Sequence, residues 1–343
     1  MNNYDRILVT GGAGFIGGTL VRRLLNNTNS VIYNIDSLNY ASDLRSITSL
    51  EQAKGRHIHL NVNLKNREET YEAIKEADPN IIFHLAAESH VDRAILNPKI
   101  FIDSNIIGTF NLLEASRALW EKLSIKRKEE FRFIHISTDE VFGSLNNIDK
   151  FSENSKYDPR SPYSASKAAS DHLVKAWFHT YKFPIIITNC SNNYGPFQFP
   201  EKLIPLTILK LIEGEKIPIY GDGKNIRDWL YVEDHIDALI LVSQRGKLGE
   251  TYCVGNNNEK SNNYIVKELS SILGEYIPTN IPYSNLIEFV KDRPGHDKRY
   301  AIDSTKIKQE LGWKPKINLL DGLRMTVEWY IKNKEWTKNI KKY

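Results

Sequence analysis

Cysteine is scarce in this 343-residue chain. There are two, Cys190 and Cys253, both in apolar, strand-like surroundings. Two such residues make neither a disulfide framework nor a metal-type spacing, so a reducing compartment is expected. Long apolar runs are missing as well. The most hydrophobic stretches, such as 238–242, are far shorter than the ~20 residues a membrane-spanning helix needs. The start, Met1 to Asp5, has no basic segment leading into an apolar one, so no secretory signal is expected and the chain reads as cytoplasmic. Nor is there a strong charge of one sign: 46 Lys+Arg against 42 Asp+Glu leave a formal +4. Part of that sits in the tail after Ile331 (Lys332, Lys334, Lys338, Lys341 and Lys342), which reads as a solvated end. With no basic stripe interleaved with aromatics, neither nucleic acid nor membrane is an expected partner. Internal repeats, low-complexity tracts and a Pro/Ser linker are also lacking.

What is present is ordinary for a globular protein, 41% hydrophobic and 26% charged. At ~150 residues per domain the length suggests two. A chain of this size buries roughly three quarters of its unfolded surface, enough to stand without disulfide or structural metal.

The first half alternates short apolar, β-branched runs with longer helix-like segments. Strands are predicted at 6–10, 30–36, 57–62, 80–86, 131–138 and 184–189, with helices at 14–26, 65–76, 104–120 and 163–182. Near-continuous apolar strands such as Ile185-Ile-Ile-Thr188 imply burial on both faces, and the alternation implies a doubly wound parallel α/β sheet. After about Cys190 loops lengthen and gain Gly, Pro and Asn, down to an amphipathic segment at 319–332. The expected division is 1–190 as a dinucleotide-binding part, with a later segment near 228–255 returning to it. Residues 191–343 would then form a smaller, interleaved α/β part that binds substrate.

Gly12-x-Gly14-x-x-Gly17 follows the first strand directly. Glycines there permit a tight turn and let backbone N–H groups at a helix N-terminus approach a pyrophosphate. Alone, the pattern fits any Gly-rich strand–helix turn. Its context adds Asp36, closing the second strand 19 residues after Gly17, a carboxylate suited to the ribose hydroxyls of NAD and repellent to the phosphate of NADP.

Tyr163 and Lys167 are four apart at the start of a predicted helix, with Ser161-Pro162 as cap and first turn, so both side chains share a face. A neighbouring ammonium favours phenolate, and such a tyrosine can take an alcohol proton as hydride leaves the same carbon. Tyr-x-x-x-Lys is also common on helix surfaces. The fifth strand runs into Thr138-Asp139-Glu140. Two acids there fit a solvated loop or an N-cap; in a dry crevice they fit an acid and a base. Oxidising an alcohol needs only the tyrosine. The pair implies a second step, such as loss of water. His84 and His135, inside apolar strands, read as packed core histidines, and nothing reads as a metal site.

Together these motifs resemble the extended short-chain dehydrogenase/reductases that act on nucleotide sugars, across essentially the whole chain. Ile136–Gly143 is similar to the Thr-Asp-Glu motif of the dTDP-glucose 4,6-dehydratase family. The stretches at 84–93, 189–196, 199–205, 226–234 and 292–297 match it as well. Sugar 4-epimerases share the glycine turn and the Tyr-Lys pair but carry small residues at positions 139 and 140.

The resemblance implies a Rossmann-type fold and bound NAD. It implies cofactor contacts from Gly11, Gly14, Phe15, Ile16 and Gly17, from Asp36, Ser37 and Asn39, and from Asn63 and Leu64. Leu85, Ala86, Ala87, Ser104, Tyr163, Lys167 and Asn193 complete them. The catalytic set would be Thr138, Asp139, Glu140, Tyr163 and Lys167. Ser89, Thr138 and Asn192 would contact the sugar, and Lys202 and Leu203 the phosphate and base. Pro218, Ile219 and Tyr220 would line the base; Arg227, Asn262, Arg293 and His296 would reach the diphosphate and its surroundings. Arg227 and Arg293, read in loops beside Asp and Gly, also fit isolated surface arginines. A nucleotide-sugar substrate and a homodimer through the 104–120 and 163–182 helices are implied too. Four positions depart from the family: Asn63 for Asp, Ser37 for Lys, Ser104 for Thr and Phe142 for Tyr. Asn63 keeps a carbonyl acceptor, so altered but retained adenine binding is expected. UDP-glucose dehydration, 4-epimerisation and a non-catalytic NAD-binding regulator are the competing readings.

Overall fold

The computed structural model describes residues 4–48, 55–146, 148–280 and 282–340; Met1 to Asn3 of the start, and Lys341 and Lys342 of the basic tail, lie outside the described residues. The strands are β1 (Arg6–Thr10), β2 (Val31–Ile35), β3 (His57–Leu60), β4 (Ile81–His84), β5 (Arg132–Thr138), β6 (Ile185–Cys190), β7 (Asn192–Tyr194), β8 (Ile217–Tyr220), β9 (Ile226–Tyr231), β10 (Thr251–Val254), β11 (Glu259–Ser261) and β12 (Ile287–Val290). Seven of them form one sheet in the order β10-β6-β5-β4-β1-β2-β3. Every pairing in it is parallel.

The apolar runs form strands because helices cover both sides. Along β1, Ile7 and Val9 join one core with Leu20, Leu24, Ile236 and Leu239, whereas Leu8 joins a second with Ile74, Leu112 and Val174. Alternate residues therefore meet helices on opposite faces, as a doubly wound sheet requires. The strand order reverses at β1 and β4, and ligands bind such folds at the carboxyl ends beside the reversal.

The chain after β6 contributes β7-β9-β11 and the parallel pair β8-β12. A third core there packs Ile208 and Leu211 of the Leu203–Glu213 helix against Leu269 and Leu273 of Asn262–Tyr276 and Leu323 and Val327 of Leu319–Lys332. β10, at the edge of the large sheet, was not among the predicted strands.

Two helix starts matter for the site. Pro162–Tyr181 opens with a reciprocal cap: Ser164 N–H donates to Ser161 Oγ and Ser161 N–H to Ser164 Oγ, both at 3.0 Å. The helix expected from Ser104 begins instead with a wide π turn, Ile102–Ile107, before regular Gly108–Trp120. The wide turn directs Asn105 inward, where its Nδ2 donates to the Glu88 carbonyl at 3.0 Å and to Ser166 Oγ at 2.8 Å. Such turns recur where function needs a side chain re-aimed.

Candidate active site

A cavity of about 400 Å³ lies at the carboxyl ends of β1, β2, β4, β5 and β6, and all seventeen sequence-predicted cofactor residues line it. Its floor begins at the glycine turn. Gly11 has φ +70°, and a Cβ there would stand 2.7 Å from Ala86 N. A Cβ on Gly17 would come within 2.1 Å of the Gly11 carbonyl oxygen, so only glycine lets helix Phe15–Asn27 start this close to the turn. Asp36 ends β2 with its carboxylate already held: Oδ2 accepts from Ala13 N–H at 3.0 Å, Oδ1 from Leu38 N–H and Ser42 Oγ, both at 2.9 Å. Lone pairs remain for a ribose diol, whereas a phosphate would meet a fixed negative charge. Asn63 Oδ1 accepts from Lys65 N–H at 3.1 Å, closing a local turn and leaving one lone pair and the amide NH₂ for an adenine. The lining thus fits a dinucleotide.

The other end of the cavity holds Thr138, Asp139, Glu140, Tyr163 and Lys167 together. Thr138 Oγ1 donates to Asp139 Oδ1 at 3.3 Å and accepts from Glu140 N–H at 3.2 Å. Asp139 is 1% exposed, and its Oδ2 has no hydrogen-bond partner among the described residues. Burial, reinforced by Glu140 and Asp228, pushes the Asp139 carboxyl well above the usual carboxylate range and so favours its protonated form. Glu140 is also raised by burial, but Arg293, Lys202 and Arg227 pull it back. Two adjacent acids therefore differ in environment, one isolated and one facing cations.

Lys167 Nζ donates to the Ile136 carbonyl at 2.8 Å, and burial lowers its pKa. Tyr163 is not poised as a phenolate by the polypeptide: burial first, then Glu140, Cys190 and Asp139, hold its pKa well above the ordinary value, with a Thr138 hydrogen bond opposing them.

Of the predicted substrate residues, Ser89, Thr138, Asn192 and Lys202 line the cavity; Leu203, Pro218, Ile219, Tyr220, Arg227, Asn262, Arg293 and His296 do not. Lys202 Nζ donates to the Ser89 carbonyl at 2.9 Å. Ile219 is 1% exposed within the third core, so only its backbone could meet a ligand. Arg227 is no surface-loop arginine: it lies on β9, buried, donating to the Asp297 carbonyl at 3.0 Å with its guanidinium 4.3 Å over the Tyr300 ring. Arg293 stands 3.8 Å from Asp92, whose Oδ2 accepts from Tyr220 OH at 3.1 Å, and His296 Nδ1 pairs with Asp292 at 2.6 Å. Arg293, Asp92, Tyr220 and His296 thus cluster together outside the cavity lining, with Tyr220 6.4 Å from the His296 ring. His84 and His135 are buried in hydrogen bonds to Thr10, Thr109 and Asp171, as core residues.

Sequence reasoning missed several lining residues: Tyr40, Glu88, Cys190, Gln198, Phe199 and Glu201. Glu88, Cys190, Phe199 and Glu201 stand inside motifs already singled out; Tyr40 and Gln198 carried no signal.

Fold and cavity are those of the extended short-chain dehydrogenase/reductases. A family model described as GDP-mannose 4,6 dehydratase matches residues 8–326. The dTDP-glucose 4,6-dehydratase of Neisseria meningitidis serogroup B is 52% identical over 340 residues, 98% of this chain and 96% of that protein. A crystal structure of dTDP-glucose 4,6-dehydratase from Bacillus anthracis in complex with NAD superposes with a TM-score of 0.85 at 41% identity, covering 97% of this chain and 99% of that one. The Streptomyces venezuelae dTDP-glucose 4,6-dehydratase, with NAD bound, gives 0.89 at 38%, covering 98% and 99%. The chain belongs to the dTDP-glucose 4,6-dehydratase family.

Proposed function

We propose that this protein is an NAD-dependent hydro-lyase converting dTDP-glucose to dTDP-4-keto-6-deoxyglucose and water. The observation that supports it most is Asp139, a buried carboxyl with an unpartnered oxygen beside Glu140 and Tyr163 in one cavity. An epimerase has no use for that pair, and a non-catalytic binder has no reason to bury it.

Bound NAD⁺ supplies a hydride acceptor at the start and, once reduced, the donor at the end. The chain supplies the proton traffic. Tyr163, as the phenolate that Lys167 on the same helix face and the positive charge of bound NAD⁺ together favour, takes the C4 hydroxyl proton as C4 becomes a ketone. The ketone acidifies C5–H, which Glu140 removes. Asp139, holding its proton, gives it to the departing C6 hydroxyl, so water leaves and a C5–C6 double bond forms. Glu140, carrying the proton taken from C5, would return one there once the hydride that the bound cofactor supplies has reached C6. Thr138 holds the Asp139 carboxyl and the Glu140 backbone in place and hydrogen-bonds the sugar. Lys202, Arg227 and Arg293 neutralise the diphosphate, with Ser89 and Asn192 on the sugar; Leu203, Pro218, Ile219, Tyr220, Asn262 and His296 surround the nucleotide.

We read 191–343, apart from the segment near 228–255, as the nucleotide-sugar part, and the protein as cytoplasmic, in keeping with two buried free thiols. No helix among the described residues is long and apolar enough to cross a membrane. Ile107, Phe110 and Tyr181, each about 40% exposed on the two helices of the expected interface, support a homodimer, to be checked by light scattering with and without Phe110→Arg.

The function is tested by incubating the protein with dTDP-glucose and measuring the alkali-induced absorbance of a 4-keto-6-deoxy sugar. Formation of dTDP-galactose alone would refute it. Thymine and uracil differ by one methyl group, a discrimination of about 1–3 kcal/mol, so kcat/KM for dTDP- and UDP-glucose decides the nucleotide.

A further inference from the structure

One turn along the helix from Lys167 lies Asp171, fully buried and outside the cavity lining. Its carboxylate collects an unusual set of partners. Ser137 Oγ and Tyr157 OH each donate to Oδ2 at 2.8 Å, Asn189 Nδ2 reaches the same oxygen at 3.4 Å, and His135 Nε2 meets Oδ1 at 3.0 Å. These come from β5, β6 and the loop before the helix. Ser137 immediately precedes Thr138, and Asn189 also donates to the Thr138 carbonyl at 3.1 Å. The strand end that carries the acid pair is thus tied beneath the cavity to a single carboxylate.

We propose that Asp171 is a positioning residue for the reaction, its carboxylate serving both as buried counter-charge to Lys167 and as the knot that fixes the end of β5. The proposal rests on the catalytic reading above and names a residue which that reading does not use.

The groups facing Asp171 leave little else for that role. His135 is buried, its pKa lowered chiefly by burial, so it donates from Nε2 as a neutral ring. Tyr157 is held as a phenol by burial and by Asp171 itself. Of the groups around them, His84 lies 5.2 Å from His135, His172 5.2 Å and Lys175 5.5 Å from the Tyr157 ring; Cys190 and Cys253 are buried thiols. Lys167 is the buried cation on the same helix face, and Asp171 is the carboxylate that opposes the effect of burial on it. Without that charge an ammonium in this site would lose its proton at lower pH.

The test compares Asp171→Asn, Asp171→Glu and the wild-type holoenzyme. If Asp171 holds Lys167 charged, Asp171→Asn moves the alkaline limb of kcat/KM for dTDP-glucose to lower pH by one unit or more, and Asp171→Glu brings it back towards the original position. A loss that is uniform across pH, with the limb unmoved, overturns the proposal. The ¹³Cε resonance of Lys167 in lysine-labelled protein, assigned against Lys167→Met, gives the same answer without substrate. Its titration midpoint must fall in Asp171→Asn, and an unchanged midpoint refutes the counter-charge even if dTDP-glucose proves not to be the substrate. Tyr157→Phe covers a failure of Asp171→Asn to fold: it removes one hydrogen bond and keeps both charges. It should lower kcat about five- to tenfold at unchanged KM and unchanged limb. An unaltered kcat would overturn the role at the end of β5.

Discussion

Thr138 links two adjacent acids whose environments differ: its hydroxyl donates to the Asp139 carboxyl at Oδ1 while accepting the backbone N–H of Glu140. One short side chain thereby holds the carboxyl of one acid and the backbone of the other. The acid that accepts from Thr138 is also the one whose protonated form burial favours, and on its neighbour Arg293, Lys202 and Arg227 oppose the effect of burial.

Glu140→Gln should separate oxidation from elimination. Removing one positioned base costs about 10²–10⁴ in rate. Turnover should therefore fall by at least a hundredfold while reduced-nicotinamide absorbance accumulates on mixing with dTDP-glucose. Full turnover by this variant would contradict the role given to Glu140.

Asp139→Asn should alter stability with a definite sign. The folded protein binds the Asp139 proton more tightly than the unfolded chain does. Stability is therefore lost as pH rises above the ordinary carboxyl range towards the raised folded value, and nothing is lost below that range. The asparagine variant lacks this slope. Its melting temperature relative to wild type should climb between pH 4 and 7, by about 2–4 °C per kcal/mol, while dehydration is abolished. Parallel melting curves across that interval would count against a protonated Asp139.

Gly17→Ala and Gly14→Ala should differ sharply. A methyl at position 17 would press 2.1 Å from the Gly11 carbonyl, whereas at position 14 the nearest atom, that same oxygen, is 3.3 Å away. The first variant should bind NAD at least tenfold more weakly by calorimetry and the second should change little. Equal affinities would mean that the turn has slack the geometry denies.

Tyr163→Phe should lose about 10²–10⁴ in kcat and keep its affinity for NAD, since the phenol moves a proton and the ring stays packed 6.3 Å from Phe101. Stopped-flow absorbance should then show no early oxidation of the sugar. Retained oxidation would shift the base role to another group.

Much of this was legible in the sequence because period and chemistry coincide. The six early strands announced themselves as apolar runs, since a parallel sheet covered on both faces tolerates little else. The glycine turn, Asp36 and the pair Tyr163 and Lys167 obey spacings imposed by a helix and a phosphate. β10 was not given bounds because Thr251–Val254 is only four residues long, although Cys253 already read as strand-like. The tuning of Tyr163 was unreadable for a different reason: it depends on burial first and then on acids 23 and 24 positions away in sequence. Asp171 was invisible likewise, since an acid four residues beyond a lysine ordinarily marks a wet helix face.

The cavity has one wall from the large sheet and another, at Gln198, Phe199, Glu201 and Lys202, from the chain beyond β6. A dinucleotide seated there touches both and acts as mortar as well as reagent. Preferential binding to the folded form at a hundred times its dissociation constant is worth about 2.7 kcal/mol. A coenzyme regenerated at each turnover never has to leave, so that reinforcement is permanent. Stripping it should cost the protein thermal endurance as surely as it costs activity.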